Sequence, residues 1–272
     1  MKKRILIMGL LPVLNAYAEC DEEGYFDCGT TGDVKWYVSE DKTKLTVSGN
    51  GQMGNYSATY NDGIYSNSAP WGIYQDTITT VDVTHGVTSL GTYAFLAMPN
   101  ISDVTLPEGL LSIGRSTFNR CYNLKNMTIP ETVQELGSYS IQMTGLESIV
   151  VPQSVTTIAP LAFGYNSELK SIVIGDGVTQ ISSRAFEGSE DAYIYCQDNA
   201  VRTCKDLISA YNPQSLNKLR QFTTLGDGKI KVGSKIYDNI NELPQYVLRR
   251  IYTIDEANRV AGEVNTVRIR YR

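Results

Sequence analysis

Few residues in this chain could carry chemistry, and their spacing limits what that chemistry could be. A serine or cysteine nucleophile activated by imidazole would need His85, the one histidine present. It stands in Thr84-His85-Gly86, a short polar turn, and no motif fixes a nucleophile or an acid beside it. A single imidazole also excludes multi-histidine metal centres. Cysteines occur at 20, 28, 121, 196 and 204. Cys20 and Cys28 lie eight apart, as do Cys196 and Cys204, and there is no C-x-x-C motif. Disulfide staples fit that spacing better than redox or metal chemistry. Gly49-Asn50-Gly51-Gln52-Met53-Gly54 satisfies G-x-G-x-x-G, but a dinucleotide site needs a helix next, with its N-terminus on the pyrophosphate. Residues 55–63 do not read as a helix, so the motif is expected to be a turn. Arg249, Arg250, Arg268, Arg270 and Arg272 form a basic cluster, suited to an anionic polymer or to a charged edge strand that resists aggregation. Tyr56, Tyr60, Tyr65 and Tyr74 are rings for stacking on sugars, docking a partner or packing over a cap.

The chain that positions these residues has 272 residues, 42% of them hydrophobic and 19% charged, with a mean hydropathy of −0.20. That composition describes a globular protein and excludes disorder, collagen and a polytopic membrane protein. A net charge of −5 speaks against duplex nucleic acid as a partner. The charge is uneven: residues 19–212 hold 10 basic and 23 acidic residues, and residues 213–272 hold 11 and 6. Lys2, Lys3 and Arg4, then the apolar run Ile5 to Leu14, then Ala16-Tyr17-Ala18, have the layout of a secretory signal peptide. The run is well short of the roughly 20 residues that span a bilayer. The mature chain is therefore expected to begin near Glu19, outside the cell or on its surface, in a compartment that allows disulfides.

Periodicity dominates the middle of the chain. Phe95, Phe118, Ile141, Phe163 and Phe186 follow one another at 23, 23, 22 and 23 residues. Val81, Val104, Met127, Ile149 and Ile172 keep the same period, as do Val83, Leu106, Ile129, Val151 and Ile174 two residues later. Three further apolar columns begin at Ile78, Val87 and Leu90. Two apolar residues two apart point to one face of a short strand. Pro107, Pro130 and Pro152 end that strand, since proline cannot donate to a ladder. One such coil cannot bury its own apolar side, but stacked coils bury it against each other.

The unit L-x-x-V-x-I-P-x-x-V-x-x-I-G-x-x-x-F, clearest from Leu124 to Phe163, resembles the BspA-like leucine-rich repeats of bacterial surface and secreted proteins. Asn119-Arg120-Cys121 matches that family's frequent buried cysteine, and Trp36, Leu45 to Met53 and Pro70-Trp71 resemble its N-terminal flank. The resemblance implies adhesion to host or neighbouring-cell proteins or to extracellular matrix. With no clustered nucleophile, base or metal ligand, the chain is expected to be a non-catalytic binder of an extracellular protein or glycan without a cofactor; the alternatives are a structural spacer docked by its basic tail to an envelope polymer or assembly machinery and, remotely, a hydrolase. The expected fold is an α+β solenoid: a right-handed leucine-rich-repeat coil with a parallel β-ribbon, an N-terminal β cap, a C-terminal helical cap and a small α+β tail. The expected divisions are 1–18 (signal peptide), 19–77 (β-hairpin cap and Tyr-rich loop), 78–196 (about five repeats), 197–228 (helical cap) and 229–272 (basic tail).

Alternation predicts a hairpin from Val34-Lys35-Trp36-Tyr37-Val38 and Lys44-Leu45-Thr46-Val47, with Trp36, Met53 and Trp71 covering the first coil. Tyr56 to Tyr74 reads as a loop over that lid. Tyr193-Ile194-Tyr195 reads as the final strand, followed by one or two helices over 198–219 with Asn199 as a cap. In the tail, Lys229 to Tyr237 predicts a hairpin turning at Gly233-Ser234. Thr253-Ile254-Asp255-Glu256 predicts a capped helix ending at Gly262, and Thr266 to Arg272 a strand. The outward positions of the repeat strands are Thr80, Asp82, Asp103, Thr105, Asn126, Thr128, Ser148, Val150, Ser171 and Val173. Stacking would gather them into one exposed patch, the candidate binding site. It carries no arginine and no aromatic residue, the usual binding hot spots.

Overall fold

The computed structural model describes residues 25–189, 191–196, 205–207, 219–224, 230–232 and 235–237. Its centre is a β-solenoid of about five coils. All six apolar columns point inward, with Leu106 the one partly buried member. At roughly 1.5–3 kcal/mol for each large apolar side chain fully buried, this is the dominant stabilisation of the fold.

Backbone hydrogen bonds join successive coils on three sides. On the first, the strands Thr80–Val83 and Asp103–Thr105 pair in parallel, and a single bridge from Asp103 to Asn126 continues the ladder. Ser148–Val151, Ser171–Ile174, Tyr193–Cys196 and Leu219–Thr224 form its second stretch, also parallel. On the second side, Val87–Leu90, Ser112–Ile113, Glu135–Leu136, Thr157–Ile158 and Gln180–Ile181 make another parallel ladder, with Gly51–Gln52 at its edge. The repeat pattern predicts one parallel ribbon, and the structure has two.

The third side holds the aromatic column and has no regular strand. Phe95 donates its amide to Thr117 (2.9 Å), Phe118 to Ser140 (2.8 Å), Ile141 to Ala162 (2.9 Å) and Phe163 to Ala185 (3.0 Å). Left-handed backbone brackets each of these residues: Tyr93 and Ala97 at φ 59° and 55°, Ser116 and Arg120 at 52° and 67°, Tyr139 and Met143 at 63° and 53°. Such conformations cost on the order of 1–3 kcal/mol per non-glycine residue. They persist because they let alternate amides all face the next coil while the core residue between them points inward.

The N-terminal lid matches the expectation and adds to it. Val34–Ser39 and Lys44–Gly49 form the hairpin, and Lys44–Gly49 joins the first ribbon in parallel against Thr80–Val83. A further strand, Tyr25–Thr31, pairs antiparallel with Val34–Ser39. Trp71 is fully buried, donates its indole N–H to Ala94 (2.8 Å) and stacks on Phe95, which stacks on Phe118, with centroids 5.8 and 5.3 Å apart. Trp36 meets the other side of Trp71 edge-on at 5.9 Å. The aromatic column therefore begins in the cap. Gly91 shows how close the coils come: a Cβ there would lie 1.7 Å from the Gly54 carbonyl oxygen.

Three expectations need correction. The segment 56–74 is not a loop. It holds the hairpin Ala58–Asn61 with Ile64–Asn67 and the 3-10 helix Pro70–Tyr74. Asp62 and Gly63, at φ 50° and 85°, make the tight turn, and Asn67 ties the hairpin to the Leu96 carbonyl at 2.7 Å. The α+β character is not found among the described residues, where helix is confined to that 3-10 turn and to 205–207. Within the expected helical cap, Leu219–Thr224 is a strand that extends the ribbon beyond Tyr193–Cys196. The tail hairpin is present as Ile230–Val232 with Lys235–Tyr237, and it pairs onto Leu219–Thr224. Residues 1–18, Asn199, Gly233-Ser234, the 253–262 helix and the 266–272 strand lie outside the described residues.

The column predicts that Phe118→Ala lowers stability by about 3–5 kcal/mol. Tyr122→Ala, four residues on but half exposed, should change it by less than about 0.5 kcal/mol. Urea denaturation of the two variants checks both values.

Candidate binding surface

The first ribbon brings the outward residues together in the expected rows but exposes only part of them. Thr80, Asp103 and Asn126 stack in one row, and Asp82 lies beside Thr105. Asp103, Thr105, Asn126 and Thr128 are exposed, and Thr80 and Asp82 are half-buried. Asp82 accepts a hydrogen bond from Lys44 Nζ (2.9 Å), an exposed pair that contributes little to stability. The C-terminal stretch differs. Ser148, Ser171 and Val173 are buried, Ser171 at 0% and Val173 at 1% exposure, and Val150 is half-buried. Here the outer row is apolar, running Val150, Val173, Tyr195, and covering it removes greasy surface from water. The open candidate site is therefore Thr80, Asp82, Asp103, Thr105, Asn126 and Thr128.

The aromatic side carries a second set of exposed groups, which hydropathy columns do not reveal. Tyr60 and Tyr65 of the 58–67 hairpin have ring centroids 4.5 Å apart. The Arg120 guanidinium lies 4.1 Å above the Tyr65 ring and donates to the Tyr122 hydroxyl at 2.7 Å. Arg115 sits 5.2 Å from the Tyr139 ring. Nearer the C-terminal end of the stack, Arg184 donates to both carboxylate oxygens of Glu187, and Tyr165 of the coil before donates its hydroxyl to the same group. These contacts hold the Glu187 carboxyl down at about 2 and raise the Tyr165 hydroxyl. The other two tyrosines of the sequence cluster serve the lid. Tyr56 packs edge-on against Trp71 at 5.3 Å and shares a hydrogen bond with Thr31, and burial pushes its hydroxyl up to about 12. Tyr74 is buried and donates to Asp27 at 2.7 Å.

Inside the solenoid a polar column follows the aromatic one by three residues: Met98, Cys121, Thr144, Asn166 and Ser189. All are buried. The Cys121 thiol donates to the Phe95 carbonyl (3.2 Å), the Asn166 amide to Ile141 (2.9 Å) and the Ser189 hydroxyl to Phe163 (2.8 Å). Asn166 Oδ1 accepts from both the amide and the hydroxyl of Thr144. Cys121, Asn166 and Ser189 thus each satisfy a core carbonyl of the preceding coil, while Thr144 pairs with Asn166 of the next. Mixed polarity hides this column from a hydropathy search; its constant offset from the aromatic residue would have found it.

His85 is exposed in its turn, and Gly49 to Gly54 leads into the short strand Gly51–Gln52 rather than a helix. Among the described residues, no group of three or more His, Cys, Asp or Glu is placed to hold a metal ion. No helix among them is long and apolar enough to cross a membrane. Cys28 and Cys196 are buried, while Cys20 and Cys204 lie outside the described residues. The arginines from 249 onward lie outside them as well.

Parallel ladders around one packed column define a leucine-rich-repeat solenoid. Residues 73–193 match six copies of the BspA type leucine rich repeat region. A leucine-rich repeat protein from Eubacterium ventriosum is similar at 30% identity and a TM-score of 0.52, over 61% of this chain and 42% of that one. This chain therefore spans less than half the length of that relative. The pneumococcal vaccine antigen PcpA is 20% identical with a TM-score of 0.48, over 68% of this chain and 45% of that one. A leucine-rich repeat protein of T. pallidum is 20% identical with a TM-score of 0.46, over 68% and 93%. No curated protein matches the chain.

Burial raises the free thiol of Cys121 to about 12, so it stays protonated and shielded at neutral pH. Iodoacetamide at pH 8 should leave Cys121 unmodified in the folded chain and alkylate it fully in guanidinium, as read by peptide mass spectrometry.

Proposed function

We propose that this is an exported, non-catalytic binding protein of the bacterial surface type, adhering to extracellular proteins or matrix through its repeat face. The observation that carries the reading is the open polar stretch of ribbon, Thr80 to Thr128, on an uninterrupted repeat array. Solenoids commonly bind along such faces. Residues 1–18 support export, and disulfides between Cys20 and Cys28 and between Cys196 and Cys204 would staple the two ends in an oxidising compartment. The coil is taken as right-handed, as parallel crossovers nearly always are.

A second reading is favoured by the charge division, in which the basic C-terminal segment contrasts with an acidic repeat region. In it the repeats are a spacer, and the tail docks the protein to an anionic envelope polymer. One experiment separates the two. The full chain, a variant with Asp103, Thr105, Asn126 and Thr128 changed to arginine, and a chain ending at residue 237 are compared. Each is tested for binding to immobilised extracellular-matrix proteins and for retention on the producing cell. The ribbon reading expects the arginine variant to lose matrix binding by tenfold or more, about 1.4 kcal/mol, with the shortened chain unaffected. Unchanged binding by the arginine variant would reject the ribbon, and lost retention of the shortened chain would support the spacer.

A further inference from the structure

We propose that the aromatic side of the solenoid, centred on Tyr60, Tyr65, Arg120 and Tyr122, binds a carboxylated polysaccharide. This goes beyond the ribbon reading, shares no residue with it and does not depend on it.

Three observations lead there. The first is chemical. Tyr60 is 60% exposed and Tyr122 50%, and Tyr65 and Arg120 bridge the gap between them. Exposed tyrosine rings offer an apolar face to the C–H side of a pyranose and a hydroxyl to its oxygens. The second is electrostatic. Repeat and cap together are strongly acidic, yet no carboxylate among the described residues pairs with Arg115 or Arg120. Their charges are instead held over the rings of Tyr139 and Tyr65. A planar guanidinium fixed in place by a ring and a hydroxyl is prepared for bidentate pairing with a carboxylate.

The third observation distinguishes a sugar from a peptide. An extended peptide gains affinity by pairing its backbone with a free strand edge. On this side the main-chain amides are already used between coils: Tyr93 donates to Arg115 (2.9 Å), Ala97 to Asn119 (2.9 Å) and Arg120 to Gln142 (3.0 Å). Among the described residues the coils of this side offer no open strand edge to a peptide, and a free edge remains only on the short 58–67 hairpin. Rings and guanidinium groups follow one another along the stack, from the hairpin over the first coils to Tyr139 in the third, which suits a long unbranched polymer.

The test uses the full chain with hyaluronan oligosaccharides as the carboxylated sugar, dextran as the neutral sugar and poly-L-glutamate as the anionic peptide, in isothermal titration at low and high salt. Hyaluronan should bind, more weakly as salt rises. Dextran should bind at least tenfold more weakly, and poly-L-glutamate should not bind. Tyr60→Ala and Arg120→Asn should each weaken hyaluronan by about tenfold, in the range of an interface hot spot. Asparagine is chosen at 120 because it tolerates the left-handed backbone there, φ 67°. Tyr60→Phe keeps the ring and should retain most of the affinity. An unchanged melting temperature for Tyr60→Ala, which lies on the exposed hairpin, separates binding from folding. Absence of hyaluronan binding, equal binding of poly-L-glutamate, or indifference to Tyr60→Ala would overturn the proposal.

Discussion

A coil of this chain has an apolar side that it cannot bury alone, and everything else in the fold follows from the way the next coil buries it. Strands in a ladder stand about 4.7–4.9 Å apart, so the interior must be filled at that spacing by one residue per coil in each column. Flat rings at the centre meet this need well. Trp71, Phe95 and Phe118 stack in succession, Phe163 and Phe186 stack at 6.1 Å, and Ile141 fills the place between the two runs. A close stack also obliges every inward backbone polar group to find a partner in a neighbouring coil. Two strand ladders, the amide ladder of the aromatic side and the polar column Cys121, Thr144, Asn166, Ser189 meet that obligation.

Much of this was legible in the residues, for a physical reason. Burial acts on side-chain type, so columns such as Val81 to Ile172 repeat visibly, and all six proved to point inward. Trp36, Met53 and Trp71 as the lid were legible on the same ground. Features built on backbone geometry were not. The left-handed positions are filled by tyrosine, serine, arginine and methionine rather than glycine, since the ladder imposes the conformation from outside. The second ribbon contributes only two to four residues per coil, too few for alternation to show. The 58–67 hairpin did carry a signal, Asp62-Gly63 between two tyrosine-bearing runs, which a polar composition masked. The ribbon patch was half legible: register placed its rows correctly, but sequence does not say that the apolar rows around Val173 and Tyr195 are covered.

The two faces left open have different chemistry because stacking leaves different atoms available on each. The ribbon offers short polar side chains on a regular sheet, and the aromatic side offers rings and guanidinium groups over a backbone whose amides are already satisfied. That contrast suits two kinds of partner on one rigid scaffold.

If coils are interchangeable layers, one can be removed whole. Deleting residues 119–141 joins Phe118 to Gln142 in register, whereas deleting 119–130 joins it half a coil out of phase. Circular dichroism with thermal unfolding should find the first variant folded, with a β spectrum and a cooperative transition, and the second without one. Loss of the cooperative transition in both variants, or its survival in both, would contradict the account.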